Sequence, residues 1–546
     1  MPYAPLLRSP AAALQARYRH EALWLDLGLG EYLIRRLEPC HALEVRIWSE
    51  TAPYRGTFAA VEEAARRFAS GLRARGIEPG DLVTYQLPNR VEALIALYGI
   101  AMAGAVVVPI VHLYGAKEVR FVLDQLRPRL HVTMDAFGQL DYLASLEGIR
   151  SGLPDLEQVV VVGERCPSWG VPFETVVDAD PLSRIPSVDP MAPAVIGFTS
   201  GTTADPKGVI HTGNSFTAEI EQLARYDVSP TRPILAAAPL AHSMGMIGGA
   251  LLPLVRHHAS HIIDRWDPNR ALAIMKEAEI ASAGGPPIFV TGLLDAPSFT
   301  PAHAALIERT GFGGAPVPPA VTDRAEAAGI DVTRCYGSTE HPTSVGSDRF
   351  DTPEHRKYTD GRALPGCDVR IVDDASRDVG PGEVGEILTR GPELFFGYTD
   401  PALTAVAIDP EGWYHTDDLG SADADGYVTI TDRKKDIIIR GGENISAAEV
   451  EDVFIRLPGV TEVAVVAAPD ARLGERTCAF YALIPGRPPL ELDEVRAHFG
   501  TAGIQRQKWP EELRLVTEFP RTPSGKIKKH SLRSDLQRGL GDSADA

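Results

Sequence analysis

The residues best suited to chemistry lie in the run Thr199-Ser200-Gly201-Thr202-Thr203-Ala204-Asp205-Pro206-Lys207-Gly208, directly after the apolar run Ala194-Val195-Ile196-Gly197-Phe198. Small hydroxyl residues and glycines let backbone amides approach an anion closely, and the hydroxyls add donors of their own. Lys207 supplies a point charge. The combination suits a polyphosphate held at the end of a strand, although a Ser/Thr/Gly surface loop has the same composition. The run lacks the G-x-x-x-x-G-K-[ST] pattern of a P-loop, which argues against a P-loop kinase or ATPase.

Other residues carry chemistry of their own. Glu340 is a hard oxygen ligand of the kind Mg2+ accepts. The Asp418 carboxylate can accept two hydroxyl groups, and Tyr336 offers a flat face to a purine. Lys526 ends a Pro/Ser/Gly loop, and with Lys528 and Lys529 close by, composition alone also fits a solvated basic tail.

Taken as a whole, the Thr199 segment resembles the phosphate loop of the adenylate-forming superfamily, which includes acyl-CoA synthetases, luciferases and peptide-synthetase adenylation domains. Further matches follow in that superfamily's order. They are Gly313-Gly314-Ala315-Pro316; Tyr336-Gly337-Ser338-Thr339-Glu340; Gly385-Glu386 with Arg390-Gly391; Trp413-Tyr414-His415-Thr416-Asp417-Asp418; Asp432-Arg433-Lys434-Lys435-Asp436; and Pro520-Arg521-Thr522-Pro523-Ser524-Gly525-Lys526.

The resemblance implies an ATP-dependent ligase that turns a carboxylic acid into its acyl-AMP and passes the acyl group to a thiol, with ATP, Mg2+ and coenzyme A as cofactors. Thr199, Ser200, Gly201, Thr202, Thr203, Lys207, Gly314, Ala315, Pro316, Tyr336, Gly337 and Ser338 are then nucleotide-binding. Thr339 puts its hydroxyl on phosphate, Glu340 holds the metal, and Asp418 and Arg433 contact the ribose. Lys526 bridges the acyl carboxylate and the α-phosphate, which makes Lys526, Glu340 and Thr339 the catalytic set. An anion must attack an anion in such a reaction, so cations and preorganised donors around the α-phosphate are what the chemistry needs.

By the same resemblance the last domain swings about Lys435 between the two half-reactions. Lys526 leaves the site, and Gly441-Gly442-Glu443-Asn444-Ile445 moves in. Gly441 and Gly442 would line the coenzyme A tunnel, where a narrow pantetheine arm needs close backbone approach; the segment alone reads as a β-turn. Two positions depart from the superfamily's pattern. Asp417 stands where glycine is usual, which questions the local turn, and Ser446-Ala447-Ala448 replaces a usual proline.

The resemblance puts the acyl pocket at His242, Ser243, Met244, Met246, Gly313 and Gly314. Residues 235–259 contain no acid, which disfavours an amino-acid substrate, and Met244, Met246, Ile247 and Leu251 favour an apolar one. Methionine adapts to irregular shapes. Gly284-Gly285 and Gly313-Gly314 are expected to leave room for width. The Gly441-Gly442-Glu443-Asn444-Ile445 and Glu340-His341-Pro342 patterns resemble those of ligases for medium-chain, alicyclic or aromatic acids.

The elements that must position these residues alternate. Residues 58–75 read as an amphipathic helix, 82–87 as a strand, and a helix from about 90 leads to a strand near 105–108. Residues 93–111 carry no charge and nearly reach bilayer-spanning length, but Gly104 and Pro109 divide them into a buried helix and a buried strand. The rhythm predicts α/β multidomain architecture with parallel sheets flanked by helices. After about 361 the Gly/Pro turns suggest a small antiparallel, barrel-like piece, and a small mobile α+β domain ends the chain. The expected division is a large N-terminal adenylation domain over 1–431, a hinge at 432–436 and a C-terminal domain over 437–546.

A net charge of −19 on 546 residues disfavours non-specific nucleic-acid or anionic-membrane binding. Five scattered cysteines fit a reducing, cytoplasmic compartment. The expected partners are small molecules (the acid, ATP and coenzyme A), with no nucleic acid, no transmembrane segment and room for a homodimer. The same residues would serve delivery to a carrier-protein phosphopantetheine, or a luciferase-type oxidation.

Overall fold

The computed structural model describes residues 8–541 except 200–205, 227–230, 283, 471 and 523–524. Its largest sheet is built around short, mostly apolar strands. Leu82–Tyr85, Val106–Pro109, Leu130–Met134 and Gln158–Val162 run parallel and are buried nearly throughout. Strands covered by helices on both faces need no polar side, which is why they lack an alternating polar face; Thr84 and His131, buried among them, bond each other at 2.9 Å. Among the described residues, the sheet runs from Gly397–Tyr398 through Lys207–Thr212, Pro193–Thr199 and the four parallel strands to Val171–Pro172.

Helix Phe58–Ala74 lies against the sheet. Thr57 caps it, accepting from the Ala60 N–H, and Phe58, Val61, Ala65, Phe68, Ala69 and Leu72 make its buried face. It packs on helix Val91–Met102, which is buried on almost every side. The uncharged stretch 93–111 is therefore a core helix followed by the Val106–Pro109 strand. No helix among the described residues is long and apolar enough to cross a membrane.

A second sheet orders Ala281–Ser282, Ile234–Ala236, Ser260–Ile263, Glu44–Trp48 and Tyr54–Thr57, parallel except at its last pair. Strands Arg309–Phe312 and Asp331–Tyr336 pair in parallel beside it. After residue 361 the pattern turns antiparallel, as expected, through Asp368–Val372, Gly385–Arg390, Tyr414–Ala422 and Val428–Arg433. That sheet stays open among the described residues and does not close into a barrel.

The terminal region has its own sheet and its own apolar interior. Strands Val460–Asp470 and Gly474–Leu483 form its long hairpin, with Glu512–Leu515 alongside. Ile438, Val450, Phe454, Val465, Tyr481 and Phe499 make one cluster, and Ala464, Val466, Phe480, Phe519 and Leu532 another. Neither cluster draws on a residue before 438, which is what separately folded units look like.

Candidate active site

Thr199 ends one strand and Lys207 begins the next, and the two face each other in antiparallel register. The two strand ends that bracket the phosphate-loop run therefore form one tip of the main sheet. Ser200, Gly201, Thr202 and Thr203 lie outside the described residues. Thr339 sits beside this tip, its methyl 3.4 Å from where a Cβ on Gly197 would be.

Ser338, Thr339, Glu340 and His341 form a tight turn at the end of strand Asp331–Tyr336, closed by the Ser338 N–H on the His341 carbonyl at 2.9 Å. Gly337 lets the turn close, since a Cβ there would overlap the Pro342 carbonyl. Three groups absent from the sequence-based set hold the turn. His211 Nε2 lies 2.8 Å from the Thr339 carbonyl, Tyr398 donates its hydroxyl to Glu340 Oε1 at 2.8 Å, and the Phe395 N–H donates to the Glu340 carbonyl. Burial pushes His211 down to about 4, so it is neutral and donates from Nε2. The Tyr398 ring also lies under Lys207, with Nζ 5.2 Å from its centre. One tyrosine thus links the loop lysine to the candidate metal ligand.

Behind Glu340, the buried His341, Cys367 and Glu393 bring ligand atoms within 4.8 Å of one another. They satisfy each other only in part: His341 Nε2 lies 3.1 Å from Glu393 Oε1, and Glu393 Oε2 has no hydrogen bond among the described residues. The Cys367 thiol donates to Glu393 Oε1 at 2.7 Å, and His341 Nδ1 meets Thr389 Oγ1 at 2.7 Å. Two ligands of one tetrahedral zinc stand roughly 3.5 Å apart, so this cluster braces the turn and is too tight to enclose an ion. Glu340 itself is 8 % exposed, with one oxygen on Tyr398. A single carboxylate beside an anion site fits an ion such as Mg2+ that arrives with phosphates.

Asp418 owes its direction to a bulge. Glu386 faces Leu419 and Leu388 faces His415, so Thr416, Asp417 and Asp418 are crowded opposite Ile387. Such bulges re-aim side chains next to active sites. Thr416 Oγ1 donates to the Ile387 carbonyl at 2.8 Å and accepts from the Asp418 N–H at 3.0 Å. Asp417 has φ +60°, a left-handed conformation that aspartate tolerates, so the turn forms without the usual glycine. Asp418 pairs in register with Arg433, whose Nε lies 2.7 Å from Oδ1, and takes the Tyr336 hydroxyl on Oδ2 at 2.7 Å. Burial and Asp418 hold the Tyr336 phenol protonated far above its ordinary range.

Lys526 reaches this cluster from the terminal unit. Its loop is folded on itself: Lys526 N–H donates to Thr522 Oγ1, and Thr522 N–H to the Lys526 carbonyl. The loop touches the large unit at Gly525, where a Cβ would lie 3.4 Å from Ile288 Cγ2. Burial and then the charge of Arg433 push the Lys526 ammonium down to about 8, while Asp418 and Glu340 pull the other way. Lys526 in turn helps burial push His242 down to about 4. One ammonium therefore sits within electrostatic reach of the candidate ribose, metal and acyl residues.

His242 and Ser243 follow strand Ile234–Ala236, at the carboxyl end of the second sheet, where open α/β sheets bind ligands. His242 Nδ1 accepts the Met244 N–H at 3.3 Å, which leaves Nε2–H free to donate. Gly314, Ala315 and Pro316 follow Arg309–Phe312 and so emerge beside the Tyr336 turn. The glycines do not leave open width. A Cβ on Gly285 would meet Met244 Sδ at 2.9 Å, one on Gly314 would meet Met244 Cε at 3.1 Å, and one on Gly313 would strike Cys335 Sγ at 2.5 Å. The Met244 thioether fills two of these spaces, and Cys335 takes the third. Met246 is 1 % exposed and packs in the main core with Leu240 and Leu251.

Gly441 and Gly442 form the two-residue turn between Ile438–Arg440 and Glu443–Ile445, with φ of +59° and +92°, as such hairpins require. They are exposed in this conformation. At Lys435 the partners change sides. Lys434 Nζ bonds Glu386 at 2.9 Å and Lys435 Nζ bonds Asp417 at 3.2 Å, both in the large unit. The Lys435 carbonyl and Asp436 accept from Arg533 of the terminal helix at 2.9 and 2.8 Å.

These arrangements have close counterparts. Residues 42–399 match the AMP-binding enzyme family and residues 449–526 the AMP-binding enzyme C-terminal domain. A medium-chain fatty-acid–CoA ligase of Escherichia coli strain K12 is 34% identical over 530 residues, 96% of this chain and 93% of that protein. A salicylyl-CoA synthase / salicylate adenylyltransferase of a Streptomyces species is 31% identical over 545 residues, 97% of each. ATP-bound MatB from Rhodopseudomonas palustris, 25% identical, superposes with a TM-score of 0.83 over 94% of this chain and 99% of that one; apo MatB gives 0.71 over the same shares. The likeness thus extends along nearly the whole length, and the chain belongs to the AMP-binding enzyme family.

Proposed function

We infer that this enzyme joins an apolar carboxylic acid to coenzyme A through an acyl-adenylate, with Lys526 governing the first step. The observation that carries this reading is the position of Lys526, whose charge is felt at His242, Asp418, Arg433 and Glu340 together. In the first half-reaction a carboxylate oxygen attacks the α-phosphorus of ATP, and the bond to pyrophosphate breaks. The Lys526 ammonium offsets the approach of the two anions. The neutral His242 donates from Nε2 toward the acid carboxylate without adding a charge. Asp418 and Arg433 orient the ribose, and the hairpin tip with Lys207 and Thr339 holds the phosphates. Glu340, fixed by Tyr398, would hold Mg2+, which screens phosphate charge when bound. In the second half-reaction the thiol attacks the acyl carbon, the carbon–oxygen bond to phosphate breaks, and AMP departs.

Apolar lining and the absence of acid over residues 235–259 favour a medium-chain, alicyclic or aromatic acid. Met244 supports the same range, because an unbranched thioether over two glycines can be displaced by ligands of different shape. Residues 1–431 act as the adenylation unit and 437–546 as the moving unit, with Lys435 between them. Gly441 and Gly442 meet the pantetheine arm in the second position. Residence in the cytoplasm and a homodimer belong to the same reading; light scattering tests the latter.

The direct test is pyrophosphate release from ATP across a carboxylic-acid panel, with and without coenzyme A. Release with C6–C12 fatty or aryl acids, turning over only when coenzyme A is present, is the expected result. ADP in place of AMP, or release confined to amino acids, contradicts it.

A further inference from the structure

The bulge that turns Asp418 inward needs a residue with positive φ at position 417, and glycine meets that need at least cost. The chain instead has aspartate at φ +60°. Its side chain has a specific use. Asp417 Oδ2 lies 3.2 Å from Lys435 Nζ, and its N–H donates to Glu386 Oε1 at 3.3 Å. Glu386 also takes Lys434 Nζ at 2.9 Å and faces His415 Nδ1 at 3.4 Å. Beyond the Lys435 side chain the allegiance reverses, because its carbonyl accepts from Arg533 of the terminal helix. The side chain of one residue is thus tied to the large unit and its carbonyl to the terminal unit. Only the Cα–C bond of Lys435 lies between the two ties.

We propose that Asp417 is a positioning residue for the adenylation half-reaction: its carboxylate clamps the stationary side of a pivot at the Lys435 Cα–C bond, so that the terminal unit carries Lys526 onto Asp418 and Glu340 along one path. The proposal rests on the two-position reading of the terminal unit. Lys526 is placed by the terminal unit, whereas Asp418 and Glu340 are placed by the large one, so looseness at the pivot translates into misplacement of the ammonium. The second half-reaction does not use Lys526 and is less exposed to that looseness. The side chains of Asp417 and Lys435 are 54 % and 39 % exposed. A pair so placed shifts an equilibrium by about two- to fivefold, and salt screens it.

Asp417→Gly is the informative variant, because it relieves the backbone while removing the clamp. The expected result is a melting temperature no lower than that of the parent, and acid-dependent pyrophosphate exchange reduced about two- to fivefold at low salt. Thioester formation from supplied acyl-AMP stays within about twofold, and the parent enzyme at 1 M salt falls toward the variant. Exchanging the charges, Asp417→Lys with Lys435→Asp, restores exchange. Parental exchange in Asp417→Gly, equal loss from both half-reactions, or failure of the exchanged pair to recover overturns the clamp. Lys526→Ala run in parallel separates the two failures. Equal loss from both half-reactions there removes the two-position reading itself, whereas a clean split with parental exchange in Asp417→Gly removes only the clamp.

Discussion

Lys526 is the residue on which the chemistry turns, and its environment makes two measurable demands. Lys526→Ala should lower acid-dependent pyrophosphate exchange by about 10²- to 10³-fold, the scale of losing one preorganised group at a developing charge. Thioester formation from supplied acyl-AMP should fall far less. The second demand concerns pH. Lys526 titrates near 8 instead of 10.5, chiefly because it is buried. It is charged below that value and neutral above it, so kcat/KM for adenylation should fall as pH rises through about 8. Lys526→Arg, charged throughout this range, should remove that alkaline limb even if its rate is lower. The motif letters Thr339, Glu340, Asp418, Arg433 and Lys526 were readable in advance, and the structure puts Lys526 within electrostatic reach of Arg433, Asp418 and Glu340. Tyr398 and His211 were not readable. Each is an ordinary aromatic in a short apolar run, and each acquires a role only when its strand lies next to the Glu340 turn.

Elements do the aiming. The short Gly397–Tyr398 strand pairs with Lys207–Thr212 and so carries Tyr398 between Lys207 and Glu340. Tyr398→Phe keeps the packing and removes one hydrogen bond to a carboxylate, an interaction of about 1.5–3 kcal/mol. It should weaken Mg·ATP use by roughly tenfold or more, read as a rise in KM for Mg·ATP with the melting temperature changed by a few degrees at most. The β-α rhythm was legible because buried parallel strands leave mostly apolar runs, helix 58–74 carries an amphipathic period, and helix 91–102 reads as an uncharged stretch after Glu92. Pocket shape was not legible. Four glycines suggest open space in a sequence, but space belongs to whatever crosses it: Met244 at Gly285 and Gly314, Cys335 at Gly313, and the Gly311 backbone at Gly284. Met244→Ala should therefore extend the accepted acids toward bulkier ones, measured as a raised kcat/KM ratio for a branched over a linear acid.

At the scale of the whole molecule, the terminal region with its own apolar clusters brings Lys526 within electrostatic reach of Asp418 and Glu340. The closer fit to ATP-bound than to apo MatB, 0.83 against 0.71, agrees with Lys526 sitting at Asp418 and Glu340 in this conformation. The contact of Gly525 with Ile288 offers a lock. In a Gly525→Cys/Ile288→Cys variant, oxidation should leave adenylation running and stop thioester formation, and reduction should restore it; comparing both redox states of one variant cancels the strain of a cysteine at φ +86°. The change of rhythm after 361 pointed to the antiparallel sheet that the structure has there. The side on which each hinge residue is anchored was not legible, because the tie between Asp417 and Lys435 exists only once the bulge has formed.

In the acyl-adenylate route AMP departs carrying one of the acid's own oxygens. Carboxylic acid labelled with 18O in both positions, turned over with ATP, Mg2+ and coenzyme A, tests it by mass spectrometry of the products. One 18O in AMP and none in pyrophosphate is the predicted outcome. Label in inorganic phosphate with ADP as co-product, or unlabelled AMP, would contradict the acyl-adenylate and every residue role built on it.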